Sequence, residues 1–225
     1  MTKLITQTFV TFLIGAIVLG VLLFLPAGTL NYWQAWVFIV VFMTSVSAVG
    51  LYLSLKDPAL LERRKRIGPA AEESPVQKII MSIAILGNLA LLIFSALDYR
   101  FHWSQIPGYV SLIGDALIAL GLFINVLVFR ENSYGASNIT VENEQKVIST
   151  GPYALVRHPM YGGVLVMLIG VPLALGSAWG LVVLAVITPG LIWRILDEEK
   201  VLEKDLTGYR EYEHKVRYRL VPYLW

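Results

Sequence analysis

The stretch that decides the fold is residues 161–196, YGGVLVMLIGVPLALGSAWGLVVLAVITPGLIWRIL. It is apolar almost throughout, yet Gly176-Ser177-Ala178-Trp179-Gly180 divides it into two arms. As a helix the first arm, Gly163 to Leu175, rises only about 20 Å, short of the ~30 Å of a bilayer core. Pro172 and Pro189 interrupt the two arms, and a proline inside a helix kinks it. The reading is a tight hairpin of two short helices, with both ends on the same side of a membrane. Upstream lie four longer apolar runs, Leu4–Leu25, Trp33–Leu55, Ile79–Leu97 and Tyr109–Phe129, each about the 20 residues that a span requires. Pro26, Lys56-Asp57-Pro58, Asp98-Tyr99-Arg100 and Arg130-Glu131-Asn132 bound them. Trp33, Trp36, Trp103 and Tyr109 sit near span ends, where amphipathic rings favour the interface. The first run is too long for a signal-peptide core and no small-x-small site follows it, so it reads as a retained helix.

Composition agrees with this pattern. Of 225 residues, 56% are hydrophobic and 15% charged, against roughly 45–50% and about 25% in soluble domains. Mean hydropathy is +0.66. No cysteine is present, which excludes disulfides, zinc–thiolate centres and thiol nucleophiles. His102, His158 and His214 are too scattered for a histidine-rich metal centre, so no metal is expected. The expected fold is all-α and polytopic: four spanning helices (residues 1–130), then a region (131–225) of loop, short hairpin and amphipathic tail helix.

The basic residues set the orientation. Lys3, six Lys or Arg in the 56–78 loop, three in 130–160 and seven from Arg194 onward fall on one side; Arg100 alone falls on the other. That places the N-terminus, the middle loops and the tail in the cytoplasm. Arg63-Arg64-Lys65-Arg66 reads as a topology determinant beside anionic headgroups. It lacks the interleaved aromatics of a nucleic-acid site, so no nucleic acid is expected. Asp115 inside the fourth span is either a functional carboxylate or one neutralised near Asn125 or a serine.

The chemistry gathers after residue 130. In Val147-Ile148-Ser149-Thr150-Gly151-Pro152-Tyr153-Ala154-Leu155-Val156-Arg157-His158-Pro159-Met160-Tyr161, Gly151-Pro152 marks a turn and Pro159 a helix start. Arg157 and His158 therefore precede a helix N-terminus, a corner suited to a carboxylate or phosphate. Beyond the hairpin, Arg194 and Glu198 stand four apart on one helix face. Tyr209, Tyr212 and Val216 repeat at helical spacing in the tail, as an interfacial anchor or a cover over the mouth. A cation, paired acids and rings suit S-adenosylmethionine, which has a carboxylate, an ammonium, an adenine and a sulfonium. They equally suit a nicotinamide cofactor, so composition leaves both open.

Gly151-Pro152-Tyr153, Arg157-His158-Pro159-x-Tyr161, Glu198-Glu199-x-x-Leu202 and the Gly208…Tyr209…Tyr212…Val216…Pro222 tail resemble the isoprenylcysteine carboxyl methyltransferase family, which lies close to the membrane phospholipid methyltransferases. The resemblance covers about residues 135–222. It implies an integral-membrane enzyme that transfers methyl from S-adenosyl-L-methionine, taken from the cytosol, to a lipophilic acceptor in the bilayer. By position it implies cofactor contacts at Gln145, Lys146, Val147, Ile148, Tyr153, His158 and Glu198, and an acceptor-facing catalytic role for Arg194. The tail reads Thr207-Gly208-Tyr209, two residues shorter than the family's Phe-Gly-x-x-Tyr, so Arg217 and Arg219 receive no role. The best-fitting acceptor is the carboxylate of an isoprenylcysteine-like substrate, already ionised and needing no base. An amine acceptor would need one, with Glu198, Glu199 or Asp115 as candidates. Two other readings compete. NADPH-dependent sterol double-bond reductases share a similar C-terminal region but have more spans. A non-enzymatic interaction or transport protein leaves the polar mouth unexplained, since transporters place charge near midplane.

Overall fold

A computed structural model describes residues 2–141 and 145–225. Eight α-helices are found among them: α1 (Thr2–Ala27), α2 (Trp33–Lys56), α3 (Pro58–Lys65), α4 (Pro75–Phe101), α5 (Gly108–Glu131), α6 (Pro159–Ala174), α7 (Trp179–Asp205) and α8 (Tyr209–Lys215). No strand occurs among the described residues, and the fold is all-helical as expected. Four helices, α2, α4, α5 and α7, are long and apolar enough to cross a membrane, as befits a multi-pass membrane protein. Phe12–Ala27 of α1 and all of α6 are shorter apolar helices.

One detail departs from the expected hairpin. Its first arm is short, 16 residues, but the second continues from Trp179 to Asp205, 27 residues, through Pro189. The charged run Asp197-Glu198-Glu199-Lys200 extends this helix instead of starting a separate one. A helix also forms where a plain loop was expected. Asp57 caps α3 by accepting a hydrogen bond from the Leu60 N–H (2.9 Å), and Pro58 occupies the first turn, where its missing N–H costs nothing.

The chain forms two compact units, each discontinuous in sequence. The first takes in the chain up to Leu51, Gly87–Leu122 and Val166–Val186. Glycine makes its tightest contact: a Cβ on Gly114 would lie 2.2 Å from the Ala174 nitrogen and 2.7 Å from the Gly170 oxygen. There α5 and α6 meet backbone to backbone, a contact open only to the smallest residues. Asp98, fully buried, organises the hairpin turn. Its carboxylate accepts from the Ser104 N–H (2.8 Å), the Ser104 hydroxyl (2.5 Å) and the Ser177 hydroxyl (2.5 Å). Ser177 Oγ in turn accepts from the Gly180 N–H (2.9 Å), and Tyr32 donates to the Leu175 carbonyl (2.6 Å). Asp115 is buried here too. Neither its carboxylate oxygens nor the Ser111 hydroxyl one turn earlier has a hydrogen-bond partner among the described residues.

The second unit comprises Tyr52–Leu86, Phe123–Leu165 and Ile187–Trp225, and holds every Lys and Arg except Lys3 and Arg100. The basic run of α3 does more than meet headgroups. Arg64 donates to the Gly135 carbonyl (2.9 Å) and lies 4.4 Å from the Phe129 ring centre. Arg63 donates to the Ser133 carbonyl (3.2 Å), and Ser137 Oγ donates to the Arg64 carbonyl (3.2 Å). These bonds hold the segment after α5 in place, although it has no regular structure of its own.

Candidate functional site

Within the second unit the segment after α5, the start of α6, the far end of α7 and α8 surround a cavity of about 770 Å³, open mouth included. Gln145, Lys146, Val147, Ile148, Tyr153, His158 and Glu198 all line it. Arg194 does not, but its Nε donates to the hydroxyl of Tyr161 (3.0 Å), which does.

Local structure explains how each wall is built. Gly151 adopts a left-handed φ of +56° at the start of a 3-10 turn, and its missing Cβ leaves room for Glu131, whose carboxylate accepts from Thr150 Oγ (2.7 Å). The turn presents Tyr153, whose hydroxyl accepts from Asn132 Nδ2 (2.9 Å). Burial pushes the Tyr153 phenol up to about 12, with the Asn132 hydrogen bond pulling the other way, so it stays neutral. Tyr209 and Tyr212 pack with Leu206 against Val141, Val147, Leu202 and Val216. Tyr212 then donates to the Tyr153 carbonyl (2.8 Å), fastening α8 to the turn.

The Arg157-His158 corner is occupied by the protein itself. Arg157, with 3% of its side chain exposed, donates from Nε to Glu199 (2.8 Å) and reaches Glu213 (3.2 Å). Nη1 donates to the carbonyls of Val216 and Arg217. Burial acts against the Arg157 charge, but the Glu199 and Glu213 carboxylates outweigh it and raise its pKa. His158 turns Nε2 to the same Glu199 oxygen (3.2 Å), and Arg219 donates to the other (2.8 Å). The tail lies along this corner as well, the Arg157 and His158 N–H groups donating to the carbonyls of Tyr218 and Arg219. Glu199 is thus saturated, and Arg157 has no charge left for an external anion.

Arg194 is held as tightly. Its Nη2 donates to Glu72 (2.9 Å) and the Ser137 carbonyl (3.0 Å), its Nη1 to Gln77 Oε1 (2.9 Å), and its Nε to Tyr161. Four of its five N–H groups are engaged, and Glu72 balances its charge. Tyr161 donates its own hydrogen bond to Glu198 Oε2 (2.5 Å), while Glu198 Oε1 stands 4.0 Å from His158 Nδ1. Glu198 has no Lys or Arg ion pair among the described residues. Glu72 and Gln77 escaped sequence reasoning: they lie 122 and 117 residues from Arg194 and belong to no motif. Among the described residues no three His, Cys, Asp or Glu side chains gather closely enough to hold a metal ion.

Helices of spanning length define a polytopic membrane protein, and the cavity in its second unit is a candidate small-molecule site. Residues 110–207, from the start of α5 past the end of α7, match the family model described as phospholipid methyltransferase. No curated protein matches the chain.

Proposed function

We propose that the chain is an S-adenosylmethionine-dependent methyltransferase whose cavity faces the cytoplasm and whose acceptor arrives from the bilayer. The observation that carries this reading is the single cavity shared by Gln145–Ile148, Tyr153, His158 and Glu198, inside the matched family stretch. Its walls suit the donor part by part: Lys146 for the carboxylate, and the tyrosine and aliphatic wall for the nucleoside. When bound, the donor supplies an electrophilic methyl on a sulfonium. The chain's own task is to align the acceptor with that methyl and to keep water out. The orientation rests on the Lys and Arg gathered in the second unit.

The charge pattern favours a nitrogen acceptor, such as a lipid amine. Arg194 is already neutralised by Glu72, whereas Glu198 carries an unbalanced carboxylate on the cavity wall. Glu198 would accept the proton that the amine sheds as the new N–C bond forms and the C–S bond breaks. Glu199, saturated by three donors, would not. A second reading keeps the isoprenylcysteine-like carboxylate as acceptor. It rests on the Nη1 N–H that Arg194 has left, aimed from the helix face it shares with Glu198.

The test is incubation of the purified protein with methyl-labelled donor and, in separate arms, phosphatidylethanolamine vesicles or N-acetyl-S-farnesylcysteine. Alkali-stable label in the lipid supports N-methylation; label released by alkali as methanol marks a carboxyl ester. Arg194→Ala should reduce transfer far more than donor binding. Saturable NADPH binding with none for the donor would overturn the methyltransferase reading.

A further inference from the structure

Of the buried side-chain nitrogens and oxygens that lack a hydrogen-bond partner among the described residues, only the Tyr209 hydroxyl belongs to a residue lining the cavity. Tyr209 is 4% exposed. It follows Gly208, whose left-handed φ of +87° turns the chain into α8 and brings the ring back over the cavity wall. Its neighbours have no such vacancy. Tyr212 donates to the Tyr153 carbonyl, Tyr153 accepts from Asn132, and Tyr161 joins Arg194 to Glu198. An unpaired buried hydroxyl costs roughly 1–3 kcal/mol, and burying a phenylalanine there would avoid that cost. A cost of this kind at a cavity wall fits a group whose partner arrives with a ligand.

We propose that the Tyr209 hydroxyl is a ligand-binding group that hydrogen-bonds the nucleoside portion of the methyl donor. The surroundings choose the nucleoside. The Tyr209 ring packs with Tyr212 and Leu206 beside Val147 and Leu202, the apolar part of the cavity, where a heteroaromatic base is desolvated at least cost. Burial and the nearby Glu199 charge raise the Tyr209 phenol above its ordinary value, so at neutral pH it keeps its proton to donate. The proposal rests on the methyl-donor reading above and adds to it a residue beyond the matched family stretch and absent from the cofactor contacts that the resemblance implies.

The test compares the wild type, Tyr209→Phe and Tyr212→Phe as full chains in detergent. Melting is read without ligand, and affinity is read by calorimetry for S-adenosylhomocysteine and by competition for methylthioadenosine, which lacks the amino-acid end. Tyr209→Phe should melt at or above the wild-type temperature yet bind both ligands about tenfold more weakly, the loss of one hydrogen bond of about 1.4 kcal/mol. Tyr212→Phe should melt lower, because its hydroxyl is already paired within the fold. Unchanged affinity for S-adenosylhomocysteine in Tyr209→Phe would overturn the proposal. A loss for S-adenosylhomocysteine alone would overturn the nucleoside assignment. A wild type that binds neither ligand would overturn the methyl-donor reading itself, while the melting comparison would still report whether the hydroxyl is unpaired.

Discussion

Glu199→Ala should destabilise the second unit strongly, because three donors converge on this one carboxylate. The substitution removes the acceptor of Arg157 Nε (2.8 Å), His158 Nε2 (3.2 Å) and Arg219 Nε (2.8 Å). The three donors lose unequally. Arg219 has 29% of its side chain exposed and recovers its hydrogen bond from water, so its share is small. Arg157, at 3%, has no such recourse and keeps only Glu213 at 3.2 Å and two carbonyls. Breaking a buried pair costs about 3–5 kcal/mol, and the surviving Glu213 contact places this one near 3 kcal/mol. For a chain of this size that is a fall in melting temperature of roughly 6–12 °C. Tryptophan-fluorescence melting in detergent reads it directly. The sharper measurement is the double-mutant cycle with Arg157→Met. Once Glu199 is gone, removing the stranded guanidinium should cost about 2 kcal/mol less than removing it from the wild type. Additive effects, or a Glu199→Ala protein that melts with the wild type, would refute the claim that this carboxylate holds the corner together.

Three further outcomes follow from particular contacts. Gly114→Ala should cost about 3 kcal/mol or more, because its methyl would meet the Ala174 backbone nitrogen at 2.2 Å; Gly50→Ala, with nothing within 4 Å, should be neutral or slightly stabilising in the same melting assay. Asp98→Ala leaves the Ser104 and Ser177 donors unpaired and should cost about 3 kcal/mol, read as melting and as faster proteolysis of the 176–180 turn. Alkaline titration should destabilise the protein as pH rises from about 10 towards 12. The phenols of Tyr153, Tyr209 and Tyr212 are raised by burial, so their stabilising contribution is intact below the unfolded value of 10 and is lost as pH climbs through the folded values. A site-resolved signal, such as a labelled-tyrosine NMR shift, that shows the Tyr153 or Tyr212 phenol ionised before unfolding would contradict that order.

The membrane helices were legible because length and apolarity are local properties. Trp33–Lys56, Pro75–Phe101 and Gly108–Glu131 enclose the runs expected of them. The hairpin was legible in its turn but not in its second arm. Proline at 189 reads as an interruption, yet one helix passes through it and carries Arg194 and Glu198 together as their spacing implies. Aliphatic neighbours sustain it up to Trp193, and ion pairs satisfy Glu199 beyond that point. Motif spacing was enough to name cavity-lining positions such as His158 and Glu198. It carried no sign of what neutralises them. Glu72 reaches Arg194 across 122 residues, and the Arg157 and His158 backbone pairs with Tyr218 and Arg219. Partners so distant follow from the tertiary fold, and no local pattern in a single sequence encodes them.

Those distant partners determine what the cavity can do. Arg157 and Arg194 are both buried, and an unpaired buried guanidinium is too costly to keep, so each draws a carboxylate: Glu199 for the first, Glu72 for the second. With both pairs formed, the acid left on the cavity wall is Glu198, whose second oxygen faces His158 and not an arginine. The pairing thus leaves Glu198, with Lys146 elsewhere on the wall, as a charged group of the cavity that no arginine ion pair holds. Neutralising Glu72 would release the Arg194 charge next to Tyr161 and Glu198, making the same cavity hospitable to an anion. On the methyl-transfer reading proposed above, a change at residue 72, before the matched stretch begins, would then favour a carboxylate over a nitrogen as the acceptor.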